Sequence, residues 1–500
     1  MQASDAGARL QSELDKCMRC GMCMSVCPVY ATEKNEAAVA RGKIAIAEAV
    51  ISGDLALDDP EVVDALFNCL VCKSCMQSCP SGVQFDRIIL GLRAAIVEKN
   101  GLPWLKAAIF GALKQPAVLD GAMKVGAALQ GLVFRDHPRF RAISPRSPFA
   151  RLGKNAGFDG DRLFPAPATN PLRDRVPEVI PAAPDRAPQA PAPQAAQHAS
   201  APHASAPHAS APQASAPQVP APQARAPQAP APQAPAPQAK PRVAFFTGCS
   251  LNYFYPETGI DLIDVLTENQ IEVVVPKDQQ CCGTPVLVHG DVATARTLAR
   301  NNIDAFEGTN AAYLVTGCGS CGSAWQHQFQ ELLGDDPVYG ARAAYWAART
   351  YDISTLLTDV IGYRFPKGRV EAVVTYHDSC HLKKSMKVAR EPREILRAIP
   401  GVIFREMSKP DACCGSGGSY ALTHFGTASE IARRKAADAA GTGASTVATG
   451  CPACMMQLLD STHRFGSTQR VRHYISLLAN SYRAERASKE TSEKTNVAAL

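Results

Sequence analysis

Ala312-Tyr313-Leu314-Val315-Thr316-Gly317-Cys318-Gly319-Ser320-Cys321 returns later in the chain as Ser445-Thr446-Val447-Ala448-Thr449-Gly450-Cys451-Pro452-Ala453-Cys454. Both copies are short β-prone runs that end at Thr-Gly and hand over to Cys-x-x-Cys, as a buried strand does when it delivers thiolates at its carboxyl end. Each has two companions upstream. Val243-Ala244-Phe245-Phe246-Thr247-Gly248-Cys249 and Ala372-Val373-Val374-Thr375-Tyr376-His377-Asp378-Ser379-Cys380 are further strand-like runs closed by a cysteine. Ile271-Glu272-Val273-Val274-Val275 then precedes the vicinal pair Cys281-Cys282, and Val402-Ile403-Phe404 precedes Cys413-Cys414.

Spacing makes the repeat firm. From first cysteine to vicinal pair lie 31 residues in one copy and 32 in the other, and from pair to Cys-x-x-Cys 35 and 36. Helical stretches, Ala293 to Phe306 and Ala428 to Ala440, fall between the strands. Strand and helix alternating in this order predict a small parallel α/β domain, duplicated, with cysteines gathered at the carboxyl ends of its strands. One set is Cys249, Cys281, Cys282, Cys318 and Cys321; the other is Cys380, Cys413, Cys414, Cys451 and Cys454. Gly283 and Gly415, after the pairs, are expected to let backbone approach a bulky group.

The remaining eight cysteines form two runs near the N-terminus, Cys17-x-x-Cys20-x-x-Cys23-x-x-x-Cys27-Pro28 and Cys69-x-x-Cys72-x-x-Cys75-x-x-x-Cys79-Pro80. Three closely spaced thiolates curl around one [4Fe-4S] cubane and the fourth, before proline, reaches the other. On that rule Cys17, Cys20, Cys23 and Cys79 hold one cluster, and Cys69, Cys72, Cys75 and Cys27 the second. Ala40 to Val50 and a stretch before Cys69 carry apolar residues at helical spacing, which favours an α-helical ferredoxin. Zinc in place of iron is the competing reading of these thiols, but structural zinc uses paired Cys-x-x-Cys rather than four-cysteine runs ending in proline.

Composition bounds the rest. Of 500 residues 46% are apolar, enough for several cores, and a formal charge of +6 without an aromatic-interleaved basic stripe argues against nucleic acid. Met1 to Lys16 is charged and has no apolar signal core, so with eighteen cysteines the expected compartment is cytoplasmic, with thiols reduced. From about Phe164 to Lys240 the chain turns to Ala-Pro-Gln-Ala repeats that cannot bury enough surface to offset their chain entropy. His198, His203 and His208 within them are read as solvated.

The expected organisation is therefore residues 1–100, a two-cluster ferredoxin unit; 101–164, a helical connector; 165–240, a disordered Ala/Pro/Gln-rich linker; 241–366 and 367–482, the two repeats; and 483–500, a polar tail. In fold class this is an α+β multidomain chain, an N-terminal α-helical ferredoxin followed by two duplicated small parallel α/β domains, joined by a disordered linker. In the connector, Trp104, Leu105, Ala108, Ile109, Ala112 and Leu113 fit one helical face with Lys106 and Lys114 interspersed, and Ala122 to Phe134 is apolar up to Arg135, Arg139 and Arg141. Such a surface suits a partner, an anionic membrane or packing on the ferredoxin unit.

With these motifs the chain resembles the CCG-domain iron–sulfur proteins, which include heterodisulfide reductase subunits. Within that group it is most similar to the iron–sulfur subunit of glycolate oxidase. Supporting runs are Cys75-Met76-Gln77-Ser78-Cys79-Pro80, Cys413-Cys414-Gly415-Ser416-Gly417-Gly418 and Val471-Arg472-His473-Tyr474. The resemblance implies an electron-transfer subunit of a flavin-dependent 2-hydroxy-acid dehydrogenase, converting glycolate to glyoxylate. It also implies FAD-containing partner subunits, and an acceptor at the membrane or among quinones that brings this chain to the inner face of the cell membrane as a peripheral protein. No flavin is expected here, since no dinucleotide glycine fingerprint is present. The chain's own catalytic residues are set at none. The Ala/Pro/Gln stretch departs from the family pattern, and so does the last Cys-x-x-Cys, complete here but broken in some glycolate-type members. Two full five-cysteine sets resemble those that hold non-cubane [4Fe-4S] clusters, which leaves three alternatives. The subunit serves D-lactate instead; it is a heterodisulfide-reductase-like thiol/disulfide oxidoreductase; or one CCG domain holds structural zinc.

Overall fold

Each cysteine repeat builds a parallel sheet whose register is the same in both copies. In this computed structural model, which describes residues 10–135, 140–143, 162–183 and 241–498, strands β1 (Phe134–Arg135), β2 (Phe140–Ile143) and β3 (Leu163–Pro165) form a small antiparallel sheet. The first repeat contains β5 (Arg242–Phe245), β6 (Glu272–Val274), β7 (Tyr313–Thr316) and β8 (Thr350–Asp352), ordered β6-β5-β7-β8 and all parallel. The second contains β9 (Ala372–His377), β10 (Val402–Phe404), β11 (Thr446–Thr449) and β12 (Arg470–His473), ordered β10-β9-β11-β12. The three strands expected in each copy are present. The fourth, β8 or β12, is too short and mixed to declare itself as a strand.

The repeats exchange helices reciprocally. Helix Tyr474–Ala498, which follows β12, packs on helix Pro256–Glu268 of the first repeat. Helix Ile353–Thr355, which follows β8, packs on Arg390–Ala398 of the second. One apolar core consequently runs through both, joining Val243, Phe245, Leu262 and Leu266 to Val374, Tyr376, Ile395 and Leu478. Burial of such side chains contributes about 1.5–3 kcal/mol each, so neither repeat keeps its core without the other. The two repeats share this one core.

Two boundaries also shift. Residues 165–183, assigned above to the linker, are built into the first repeat. β4 (Val179–Ile180) adds antiparallel to the edge of β6, and Leu172 is fully buried in the shared core. The prolines around them mask these few anchoring residues in any compositional reading. Residues 184–240, including the three linker histidines, lie outside the described residues. At the other end the expected polar tail is helical: Arg483 pairs with Asp261 and Asp264 at 2.6 Å, and Glu485 with Arg364 at 2.5 Å. Its polar side chains pair with the first repeat, which sequence alone cannot foresee.

The ferredoxin unit is helical, as expected, with Ala40–Ser52, Pro60–Phe67 and Phe85–Asn100 around a core of Ile44, Leu66, Ile88 and Leu92. Connector helices Trp104–Leu113 and Pro116–Val133 follow. The first of them packs through the side opposite the apolar face read from the sequence. Phe110 is the buried residue of the first, set against Val286, Leu287 and Leu298, while Lys106 turns inward to His289 Nδ1 at 3.5 Å. Trp104, Leu105, Ile109, Val125, Leu129 and Leu132 stay exposed. Among the described residues no helix is long and apolar enough to cross a membrane.

Candidate metal centres

Each ferredoxin run is a loop turned by left-handed residues. Arg19, Gly21, Val71 and Lys73 all have positive φ, which curls the chain so that successive cysteines face inward. Two cavities of nearly equal size result. One, about 420 Å³, is lined by Cys17, Cys20, Cys23 and Cys79 together with Cys75. The other, about 460 Å³, is lined by Cys27, Cys69, Cys72 and Cys75. Cys79 of the second run lines the cavity of the first, and Cys27 of the first lines that of the second. Backbone N–H groups already point at sulfur, Tyr30 to Cys27 at 3.5 Å and Val71 to Cys69 at 3.4 Å. Burial pushes the Cys27 thiol up to about 12 and raises Cys75 well above its ordinary range. Such thiols gain most from a cation that takes the negative charge off them, so the donor sets fit iron–sulfur groups. Arg41 donates to the Arg19 carbonyl at 3.3 Å.

In the repeats the cysteines sit just past the strands, as expected. Gly283 and Gly415 have φ of 78° and 86°, so each vicinal pair turns through a left-handed glycine. A Cβ on Gly415 would lie 2.5 Å from the Ala428 carbonyl oxygen; helix packing, rather than room for a bulky group, fixes that glycine. Cys249 and Cys281 sulfurs are 3.9 Å apart. The second cysteine of each pair is the acidic one. Hydrogen bonds from Cys281 and Cys321 hold Cys282 well below the ordinary thiol range, and those from Cys413 and Cys454 do the same for Cys414. Each set therefore gathers neighbouring sulfur donors, an arrangement suited to a soft or borderline metal.

The sites form a row. Cys27 and Cys72 of the second ferredoxin cavity share an apolar cluster with Cys380 and Cys413. Lys384 is buried between them and donates to Ser74 Oγ, itself 3.4 Å from Cys72 Sγ. Beyond, Cys451 of the second set lies 3.9 Å from Cys318 of the first. The histidines and acid beside Cys380 divide. The Asp378 carboxylate is clamped by Arg393 at 2.8 and 3.0 Å. His381 Nδ1 meets Ser320 Oγ of the first repeat at 3.0 Å. His377 is fully buried with neither ring nitrogen hydrogen-bonded among the described residues. Lys384, Lys435 and Arg93, buried cations flanking the row, were beyond sequence reasoning except for Lys384, whose place four residues after Cys380 was the one available signal.

Comparison with known proteins agrees with this anatomy. Residues 243–325 and 374–459 match the family described as a cysteine-rich domain, CCG, and residues 13–83 match a 4Fe-4S dicluster domain. The chain is 29% identical over 465 residues to the "Probable glycolate oxidase iron-sulfur subunit" of Bacillus subtilis, covering 92% of each. It is 36% identical over 242 residues to one chain of the fumarate reductase (CoM/CoB) of Methanothermobacter marburgensis, 48% of this chain and 46% of that protein. Over 237 residues it is 29% identical to "Lactate utilization protein A" of Halalkalibacterium halodurans, 47% of this chain and 96% of that one. The chain thus carries one 4Fe-4S dicluster domain and two CCG domains, and it is similar to iron–sulfur proteins of the glycolate oxidase and lactate utilization type.

Proposed function

We propose that this chain is the electron-transfer subunit of a flavin-dependent 2-hydroxy-acid dehydrogenase, with glycolate as the substrate oxidised by its partner. The observation that carries the reading is the unbroken row of cysteine sites inside one body, from Cys17 through Cys72 and Cys380 to Cys451 and Cys318. Cys17, Cys20, Cys23 and Cys79 would hold one [4Fe-4S] cluster, and Cys69, Cys72, Cys75 and Cys27 the second. Cys249, Cys281, Cys282, Cys318 and Cys321, and Cys380, Cys413, Cys414, Cys451 and Cys454, would hold the further centres. Clusters so held supply one-electron transfer without covalent chemistry on the substrate, so hydride removal falls to an FAD-containing partner.

What the protein's own residues do is insulate, position and compensate charge. Lys384 and Arg93 place buried positive charge beside the thiolates, and Ser74 and Ser320 orient hydroxyls toward sulfur. The exposed Trp104, Leu105, Ile109 and Leu132 give a patch suited to the flavoprotein or to a membrane surface where a quinone waits.

The test is a bleaching experiment on the chain purified anaerobically with its bound partners from its native host. Adding glycolate bleaches the visible cluster absorbance if the reading holds. Bleaching by D-lactate alone moves the substrate to lactate. Reoxidation of the pre-reduced protein by a disulfide, with neither acid active, replaces the reading with a thiol–disulfide enzyme.

A further inference from the structure

The two repeats share a register, and one buried position beside the cysteines differs in chemical kind. β5 pairs with β7 as Val243↔Tyr313 and Ala244↔Leu314; β9 pairs with β11 as Val374↔Thr446 and Thr375↔Val447. Counted back from Cys249 and Cys380, these are the same registers, so Phe246 and His377 occupy equivalent places. Phe246 is fully buried against Phe306 and Trp325, ring centroids 5.8 and 5.5 Å away, in a cluster that includes Cys282, Cys318 and Cys321. A phenyl ring asks nothing further of that pocket.

An imidazole does. Neutral histidine carries one N–H and one lone pair; neither His377 nitrogen makes a well-formed hydrogen bond among the described residues, the Pro410 carbonyl lying beside the ring. A ring nitrogen of His377, Cys414 Sγ and Cys454 Sγ lie within 4.8 Å of one another, all three residues buried. A ring nitrogen this close to two sulfurs can share a metal ion with them, as imidazole and thiolate do in mixed-donor sites. The Asp378 carboxylate beside it is held by Arg393.

We propose that His377 is a metal ligand, one imidazole nitrogen joining the thiolates of Cys414 and Cys454 on a metal ion of the second repeat, while the first repeat offers sulfur alone. Mixed imidazole and thiolate donors select a borderline metal, zinc or iron. Where a neutral imidazole rather than a further thiolate takes a coordination position, the centre carries less negative charge, which for iron raises its potential. The two repeats would then hold unlike centres, the second differing by its nitrogen. This rests on the reading that the second cysteine set binds metal at all.

The test uses the full chain, purified anaerobically after growth on natural-abundance or 15N-labelled histidine. Metals are counted by mass spectrometry, X-ray absorption is recorded at the iron and zinc edges, and pulsed EPR is recorded on the reduced protein. Expected is a histidine nitrogen at direct-bond distance, roughly 2.0–2.1 Å for zinc, or a label-dependent nitrogen coupling on iron. It disappears in His377→Phe, the residue the first repeat already carries, and persists in His381→Asn. An all-sulfur shell in the wild type, which needs no variant to fold, overturns the proposal while leaving metal binding by the cysteines intact. So does a nitrogen signal that survives His377→Phe. No metal beyond the dicluster domain's share overturns the inference and the underlying reading together.

Discussion

Cys318 and Cys451, separated by 133 residues and contributed by different repeats, bring their sulfurs to 3.9 Å. The contact follows from the way the carboxyl ends of the two sheets meet. Gly319 N–H donates to the Gly450 carbonyl at 3.2 Å, and His473 Nε2–H donates to the Gly317 carbonyl at 2.9 Å. Both Thr-Gly-Cys turns are thus held against each other by hydrogen bonds to backbone carbonyls, and the cysteine sets behind them are joined.

That junction predicts unequal consequences for two cysteine substitutions. Cys451→Ser removes a thiol that Cys318 and Cys454 both contact, so metal bound beyond the dicluster domain should fall at both sets. Cys249→Ser, at the far side of the first set, should empty only that one. Metal counting with visible absorbance separates them. Equal losses in the two variants would show the sets to be independent.

The duplication was legible because strand runs, glycines and cysteines recur at fixed spacing, and spacing survives folding unchanged. The exchange of helices across the repeats was not: the Tyr474 helix reads as an ordinary amphipathic segment, and nothing local says that Arg483 will meet Asp261. Nor could composition show that Leu172 anchors a proline-rich stretch, since one buried leucine outweighs many solvated prolines only once its pocket exists. A Cβ on Gly259 would lie 2.1 Å from Leu172 Cδ2, so that pocket depends on a glycine far along the chain. His377 stood out beside Cys380, but its lack of partners is a tertiary fact.

Lys384 should set the potential of the sites on either side of it. Burial opposes its charge, yet Cys380, Cys72 and Cys413 overcome that and hold the ammonium above its ordinary range. Lys384→Met removes a positive charge from between two thiolate sets, so the second ferredoxin centre becomes harder to reduce. An EPR-monitored redox titration should show its midpoint shifted to lower potential, while the centre at Cys17, Cys20, Cys23 and Cys79 stays put. Equal shifts of both, or none, would remove the role.

Acid should destabilise the fold in a defined window. Burial first, then the charges of Lys106 and Arg93, pull His289 down to about 3. Burial pulls His473 to about 4, where its Nδ1 already accepts from Ile475 N–H and has no room for a proton. Unfolded histidine titrates near 6.5, so the unfolded chain binds more protons as pH falls, and this stability is complete above 6.5 and lost toward pH 4. Asp352, raised by burial to about 6, works the other way, gaining stability as pH falls from 6. His327, His381 and His424 are lowered by burial and Asp261 and Glu331 raised, so the histidines outnumber the acids. Each excess proton is worth about 1.4 kcal/mol per pH unit. Urea unfolding should therefore show lower stability at pH 5 than at pH 7, and His473→Gln should flatten the slope. Greater stability at pH 5 would contradict the balance.

Arg93 should hold the ferredoxin unit to the first repeat. It is 3% exposed and donates to the carbonyls of Leu66, Phe67, Cys69 and Val288 at 2.8 to 3.1 Å, with no carboxylate within ion-pair distance among the described residues. Three of those carbonyls belong to the segment that delivers Cys69, and the fourth to the loop after Cys281-Cys282. The two segments are pressed together there: a Cβ on Gly290 would lie 2.3 Å from the Arg93 carbonyl oxygen. Arg93→Met keeps the bulk but strands four acceptors, each costing about 1–3 kcal/mol where water cannot reach. The expected loss is about 3 kcal/mol or more in denaturant unfolding, with earlier proteolytic cleavage around Phe67. Arg93→Lys should recover little, since one ammonium cannot span all four oxygens. A loss below about 1 kcal/mol, the range of an ordinary surface substitution, would mean that water replaces the guanidinium and that the clamp lies elsewhere.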